Sequence, residues 1–540
     1  MPASNERRSF VIRDPVHGYL RVAAHERTII DHAITQRLRN VAQHGLAQLV
    51  FPEARTSRFA HSLGAMHLAS RFVVSAIENA DTQTTRNFFT KFSEEFPVEE
   101  GWIELSEVDD LLLREGSLYG SGLLAGRVLF RDKELHAPRF RQMLGLIEAG
   151  VRLAGLFHDL GHLPFSHDLE FALQDFVRTR VHETSKEISG LKILVGYQPH
   201  ERIGHGLAEL VLTSLVKDVP AVERAVYKLA HEILRAEPPY TRSDAPATAI
   251  EWLHSLVDGE IDADRADYLL RDARALGFEF AHYDVERLVN ALVLVQHDRF
   301  GFVTAMDEHG LTSVESFIVS RARSTQALVR HHKVAQIGAA LRHASSYAFS
   351  REICRDFRGD LAAMASPTAE GEDATQLLER FAEYDDAWWL MALREIDKAP
   401  PDSLTKACLD VVLRRQPKLV SAWKRAGDLT EKEMAAIRGL DRSRLLVLRS
   451  TLAAKGILLV SHQFTPYRKP ATGKFEEDSV ILIRDAGKRL KQLSSVSPLV
   501  RSLFPAWNSE VQIQAFGVGT GATRADIKNE VVSEMKKAVA

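Results

Sequence analysis

The sequence predicts a mainly α protein: a helical core over residues 1–350 and a smaller, mixed α+β lobe over residues 351–540. Three observations carry this reading. Apolar residues recur at three- and four-residue steps in the first part of the chain, as in Ile29, Ile30, Ile34, Leu38 and Val41, which is the period of a helix. Charged segments of helical pattern continue from residue 351 to about 455. Strand-like apolar runs then follow at 457–461, 480–483 and 511–516, the first two separated by a turn-rich stretch at 465–473.

The elements follow in order. Residues 9–23 read as a short β-hairpin, with apolar runs flanking a turn that holds Pro15 and Gly18. Helical periodicity covers 26–77. About 80–140 is polar and irregular and reads as an insertion, a lobe or lid on the core. Helical patterning returns at 140–159, 200–233, 248–274 and 321–349.

Composition sets outer limits. A hydrophobic share of 45% and a charged share of 26% are those of an ordinary globular chain. A net charge of −3 supplies no global field toward nucleic acid or membranes. Cys354 and Cys408 alone make neither a disulfide framework nor a thiolate zinc site. With no secretory signal and no apolar run of about 18 residues, a cytoplasmic protein without a membrane span is expected.

Histidines beside acids carry the chemistry. His158 and Asp159 end an apolar helical run, followed by Gly161 and Pro164, which favour a helix stop. His61 lies upstream on a helical segment, and Asp264 downstream. Two imidazoles and two carboxylates suit an octahedral divalent ion with positions left for water and substrate oxygens. The chain then presents His162, His167 and Glu170, and later His200-Glu201, which Pro199 places at a helix start. Histidine exchanges protons near neutral pH, so a metal flanked by spare histidines and Arg58 fits phosphate ester hydrolysis.

From Asp14 to Gly18, through Gln36 to Arg39, Arg58 to Gly64 and His158 to His167, and on to His200-Glu201, Ile261 to Asp272 and His332-Lys333, the order of motifs resembles the HD-domain metal-dependent phosphohydrolases. Within them it is most similar to the deoxynucleoside triphosphate (dNTP) triphosphohydrolases. The resemblance implies an HD-type core and one divalent ion (Mn, Fe, Ni or Mg) on His61, His158, Asp159 and Asp264, with an additional Mg accompanying the nucleotide. His162 and His167 would line the α-phosphate, with Glu170 near His167. His200, oriented by Glu201, would protonate the leaving 5′ oxygen. Arg58 and Arg265 would bind phosphates, Lys333 would contact the substrate, Gln43 and Asp272 would read the 3′-hydroxyl, and Tyr268 would pack beneath the sugar.

Further implications are a homo-oligomer (dimer, tetramer or hexamer) and an activating nucleotide on Asp31, Gln36 and Arg39; a helix-surface ion-pair set is the other reading of that trio. Phe10 replaces a Lys of the regulatory site, His44 stands where Leu is frequent, and no Tyr precedes His332-Lys333. Two alternatives stay open: an HD phosphohydrolase or phosphodiesterase acting on another nucleotide or on nucleic acid, and a nucleotide-sensing regulatory protein. Direct support for nucleic-acid binding is absent from the motifs: no zinc finger, long basic run or RNP-like aromatic pattern occurs.

Overall fold

The computed structural model describes residues 10–97, 105–108, 123–125, 128, 130, 132–195, 198–215, 219–236, 246–366, 372–413, 420–423, 440, 442–463, 481–509, 511–517 and 523–539. The fold is mainly α, as the periodicity predicts. The N-terminal hairpin pairs β1 (Phe10–Asp14) with β2 (Gly18–Val22), antiparallel, Ile12 opposite Leu20. Gly18 takes a φ of 77°, a left-handed turn conformation that glycine adopts without a Cβ penalty.

Six helices frame the site: α1 (Arg58–Glu78), α2 (Pro138–Phe157), α3 (His167–Arg178), α4 (Pro199–Leu215), α5 (Ala221–Arg235) and α6 (Ala263–Leu276). Side chains such as Leu68, Phe72, Leu146, Leu153 and Leu229 are fully buried in one apolar core. That core continues past residue 350, because Phe357, Trp389 and Leu409 belong to it.

Several expected elements are interrupted. The 26–77 stretch is two short helices, a loop and α1. The 248–274 stretch breaks between Ala249–Ser255 and α6, where Asp262 caps α6 by accepting from Arg265 N. The 321–349 stretch divides into α7 (Leu311–Ser324), a π-turn at Thr325–Val329 and α8 (His332–Ala348). Periodicity runs through such breaks because the flanking turns share a buried face. The 80–140 stretch is not wholly irregular: Thr82–Glu95 is a helix whose Phe88, Phe89 and Phe92 are buried, although most of 98–122 lies outside the described residues.

Strands β3 (Leu292–His297) and β4 (Gly301–Asp307) form a hairpin that the sequence reading passes over. Beyond α9 (Asp386–Asp397), the chain forms β5 (Val420–Trp423), α10 (Arg442–Ala453), β6 (Ile457–Gln463), β7 (Leu482–Arg484), β8 (Leu490–Gln492), β9 (Val511–Gly517) and α11 (Arg524–Val539). The strand runs expected at 457–461 and 511–516 are therefore present in β6 and β9, whereas the expected turn at 465–473 lies outside the described residues. β7 joins β4 in parallel, which ties the C-terminal part to the core; β5, β9 and β6 make a separate antiparallel sheet. No helix among the described residues is long and apolar enough to cross a membrane.

At the junction between the α2 end and α4, backbone approaches backbone closely. A Cβ on Gly161 would lie 2.0 Å from His200 O and 2.3 Å from Gly204 N, both backbone atoms that cannot swing aside. Gly161→Ala should therefore cost about 1–3 kcal/mol, as overpacking of a dense interior does. Chemical denaturation checks this, and an unchanged midpoint would refute the close approach.

Candidate active site

The site forms where helix ends meet. Ser57 caps α1 by accepting from Ala60 N, so Arg58 and His61 occupy its first turn. Helix α2 stops at Phe157, leaving His158 at its C-cap and Asp159 just beyond. Asp264 and Asp267 lie one turn apart on α6 and face α1. Gly64 permits this packing, since a Cβ there would collide with Asp267 Oδ1.

The ring nitrogens are sorted by their partners. His61 Nδ1 lies 2.8 Å from Asp267 Oδ2, and His158 Nδ1 lies 2.8 Å from Gly155 O. Only a donor satisfies a carbonyl, so Nδ1 of His158 carries the proton and Nε2 keeps its lone pair. The Nε2 atoms of both histidines are buried without a hydrogen-bond partner. They converge with Asp264, whose Oδ1 is 2.9 Å from His61 Nε2 and 3.7 Å from His158 Nε2. Donor atoms of His61, His158 and Asp264 lie within 4.8 Å of one another. Asp159 adjoins them at 3.6 Å from His61 Nε2 and 3.4 Å from His158 Nε2.

Electrostatics point the same way. Burial opposes ionisation of Asp159, Asp264 and Asp267, but neighbouring cations and imidazoles hold all three below the usual carboxylate range. Burial likewise opposes protonation of His61, yet the adjacent carboxylates of Asp264, Asp267 and Asp159 raise its pKa to about 10. Such a pocket attracts positive charge. Two orphaned imidazole nitrogens beside ionised carboxylates fit a divalent cation. His61, His158, Asp159 and Asp264 would hold it.

A second cluster abuts the first. Glu170 is a carboxylate hub for three histidines: His162 Nδ1 at 2.8 Å, His200 Nδ1 at 2.9 Å and His167 Nδ1 at 3.3 Å. The rings of His162 and His200 stack 4.0 Å apart, and His162 Nε2 lies 3.1 Å from Asp159 Oδ1, joining the clusters. Burial resists charging His200, but the Glu170 carboxylate outweighs it and raises its pKa. Burial, Arg58 and His200 together lower His162 to about 4, so it is neutral at pH 7. The orienting position expected of Glu201 is thus filled by Glu170; Glu201 accepts from Gln198 Nε2 at 2.6 Å.

The expected phosphate and sugar residues are only partly gathered. Gln43, Arg58 and Arg265 line the cavity, whereas Tyr268, Asp272 and Lys333 stand outside its wall. Arg58 donates to Asp159 Oδ2, Ser166 Oγ and Gln43 O. Arg265 turns back onto Asp262 and Gly259 O. Asp272 is held by His44 Nε2 at 2.6 Å, and Lys333 donates to Gln336. Tyr268 packs 6.4 Å from the His61 ring. On the surface, Asp31 accepts from Arg27, while Gln36 accepts from Arg39 and donates to Ile30 O.

Asp267 and Asp386 have structural roles here that the sequence reading did not assign. Asp267 is gripped by Arg271 and His17 as well as His61, and its spacing of three from Asp264 is the signal that was available. Asp386, at the start of α9, accepts from Phe165 N at 2.7 Å and Ala42 N at 3.0 Å. It pins Phe165 and Ser166, which adopt φ values of 57° and 56°, strained for residues with a Cβ. No local pattern announces that contact.

The chain is similar to known proteins over part of its length. The chain is 23% identical over 289 residues to a putative HD domain-containing protein of Acanthamoeba polyphaga mimivirus, covering 53% of this chain and 47% of that one. It is 26% identical over 287 residues to the deoxynucleoside triphosphate triphosphohydrolase SAMHD1 of Bos taurus, covering 52% and 37%. The match thus spans about half or less of these curated relatives. A solved phosphohydrolase of Bacteroides thetaiotaomicron shares the fold, with a TM-score of 0.55, 20% identity and coverage of 95% and 100%. No family model matches the chain. The pairing of a candidate divalent-metal centre with a histidine array defines the class of site. Over about half its length the chain resembles HD-domain proteins and dNTP triphosphohydrolases.

Asp267 fixes the His61 ring from behind the donor set. Asp267→Asn should lower divalent-metal affinity about 10–100-fold while the fold persists, since such supporting partners set ligand orientation and basicity. Titration of Mn2+ followed by electron paramagnetic resonance measures it, and wild-type affinity would contradict the role.

Proposed function

We propose that the protein is a metal-dependent phosphohydrolase that splits dNTPs at the α-phosphorus into deoxynucleoside and triphosphate. One observation carries the reading: a single cavity of about 1560 Å³ has His158, Asp159 and Asp264 on its wall beside His162, His167 and His200. Cation donors and proton donors therefore face one space. A divalent ion on His61, His158, Asp159 and Asp264 (Mn, Fe, Ni or Mg) would polarise a phosphoryl oxygen and acidify a nearby water.

The chain's own groups supply the rest. A water oxygen bonds to the α-phosphorus and releases one proton to solvent, and the bond from phosphorus to the 5′ oxygen breaks. His200, kept protonated by Glu170, gives its proton to the departing oxygen. His162 and His167 border the phosphate, and Glu170 fixes both rings. Arg58 lines the cavity beside this array and would offset charge on the phosphoryl oxygens. Gln43 has a buried Oε1 without a partner, ready to accept from a sugar hydroxyl. The proposal extends to Asp31, Gln36 and Arg39 as an activating-nucleotide site.

Purified protein given Mn2+ or Mg2+ and dNTPs, singly and mixed, should release triphosphate and deoxynucleoside on ion-exchange chromatography. His158→Ala with Asp159→Ala should abolish that release. Monophosphate plus pyrophosphate, or no turnover with any mixture, would contradict the reading.

The pH profile tests His200. Its folded pKa is raised, so the proton donor stays loaded above the ordinary histidine range, and activity is lost as pH rises through that raised value. His200→Gln should cut kcat by about 10²–10⁴-fold and remove that limb. A profile unchanged in shape would assign the proton to another group.

A further inference from the structure

The cavity does not end at the histidines. Along α3, His167, Phe171, Asp175 and Arg178 all line it, a helical face that runs from the Glu170 cluster to a second pole. At 1.5 Å per residue, Arg178 lies about 16 Å from His167. Arg342 of α8 and Arg449 of α10 line the same end.

Asp175 pairs with Arg342, stands near Arg178 and acts electrostatically on Arg449. Arg342 donates to its Oδ2 at 2.6 Å through Nε, whereas Arg178 stands 4.0 Å from its Oδ1. That Oδ1 is buried with no hydrogen-bond partner. Burial, then repulsion from Arg342 and Arg178, lowers Arg449 to about 10, with Asp175 opposing. Asp402 also reaches the cavity wall, but its oxygens accept from Thr405 N at 2.7 Å and Thr405 Oγ1 at 3.1 Å as a helix cap. Three guanidiniums near one carboxylate in a recessed wall suit a multiply charged anion, because the arginine fork matches phosphoryl oxygens. Between the poles, the Phe171 ring is 46% exposed and lies under Arg342, whose guanidinium carbon is 5.2 Å from its centroid.

We propose that Arg178, Arg342 and Arg449 form a second anion subsite in this cavity, which takes the triphosphate chain of a ligand separate from the one at the catalytic histidines. A triphosphate is too short to occupy both poles. Its source is either triphosphate released from the histidine end or a second nucleotide, and Phe171 offers a surface on which the base of the latter can stack. The subsite rests on charge and geometry at its own pole, so its test needs no turnover.

Isothermal titration of the full chain in excess chelator, with inorganic tripolyphosphate and separately with a dNTP, tests it. Binding should appear for tripolyphosphate and weaken at least tenfold in Arg449→Ala. Arg449→Lys, which keeps the charge but loses the fork, should fall between them, while circular dichroism confirms that both variants are folded. Arg58→Ala, at the other pole, should leave that binding in place. Phe171→Ala identifies the source: a loss confined to the dNTP supports a second nucleotide, and equal affinities in wild type and variant support the bare triphosphate chain. No tripolyphosphate binding, or binding that survives Arg449→Ala but is lost in Arg58→Ala, overturns the subsite. Either outcome is independent of whether dNTPs are hydrolysed.

Discussion

Two imidazole nitrogens, Nε2 of His61 and Nε2 of His158, are buried and unpartnered because the other nitrogen of each ring is already tied, one to Asp267 and one to Gly155 O. The rest of the site depends on that constraint. An unsatisfied buried polar atom is costly, and ionised Asp159 and Asp264 beside these two add negative charge to a recess that burial would otherwise keep neutral. A cation answers both demands at once. The support behind the donors is therefore as much part of the centre as the donors. Asp267 is held by Arg271, which also pairs with Asp14 of the N-terminal hairpin, so the first strand of the chain steadies the ring of His61.

Charge passes from this centre to the histidine array through Asp159. Its Oδ2 accepts from Arg58 and its Oδ1 faces His162, which meets Glu170, which holds His200. Each link is short and buried, so the array has little freedom to reorient. The strained Phe165-Ser166 turn that leads into α3 is part of the same device. Asp386 holds it from α9, Ser166 Oγ donates to Ala42 O, and Arg58 donates to Ser166 Oγ. Residues well beyond 350 thus position groups that carry out the proposed chemistry.

Much of this was legible in the sequence, for reasons that also explain the omissions. His61, His158 and Asp264 could be named as candidate donors because histidines and acids stand at recognisable breaks and motifs, and the structure brings their donor atoms together. The strand runs of β6 and β9 were visible because apolar runs flanked by turn residues are local signals. Asp267 was missed although it shares a helix face with Asp264, since an acid one turn away has many bland explanations. Glu170 was named beside His167, but its grip on His200 depends on α3 and α4 crossing, which no spacing encodes. Asp386 and the Asp272–His44 pair are long-range contacts between common residues. Helix breaks within 248–274 and 321–349 were hidden because apolar periodicity continues across them.

Metal content is the most direct measure of the central claim. Protein purified without chelator and analysed by inductively coupled plasma mass spectrometry should carry about one equivalent of a divalent ion per chain, the stoichiometry of a single His/Asp donor set. Replacing His61 by Ala should reduce that content to background in a folded protein. Stoichiometric metal that persists in the variant, or wild-type protein that takes up none when Mn2+, Fe2+, Ni2+ or Mg2+ is supplied, would contradict the account.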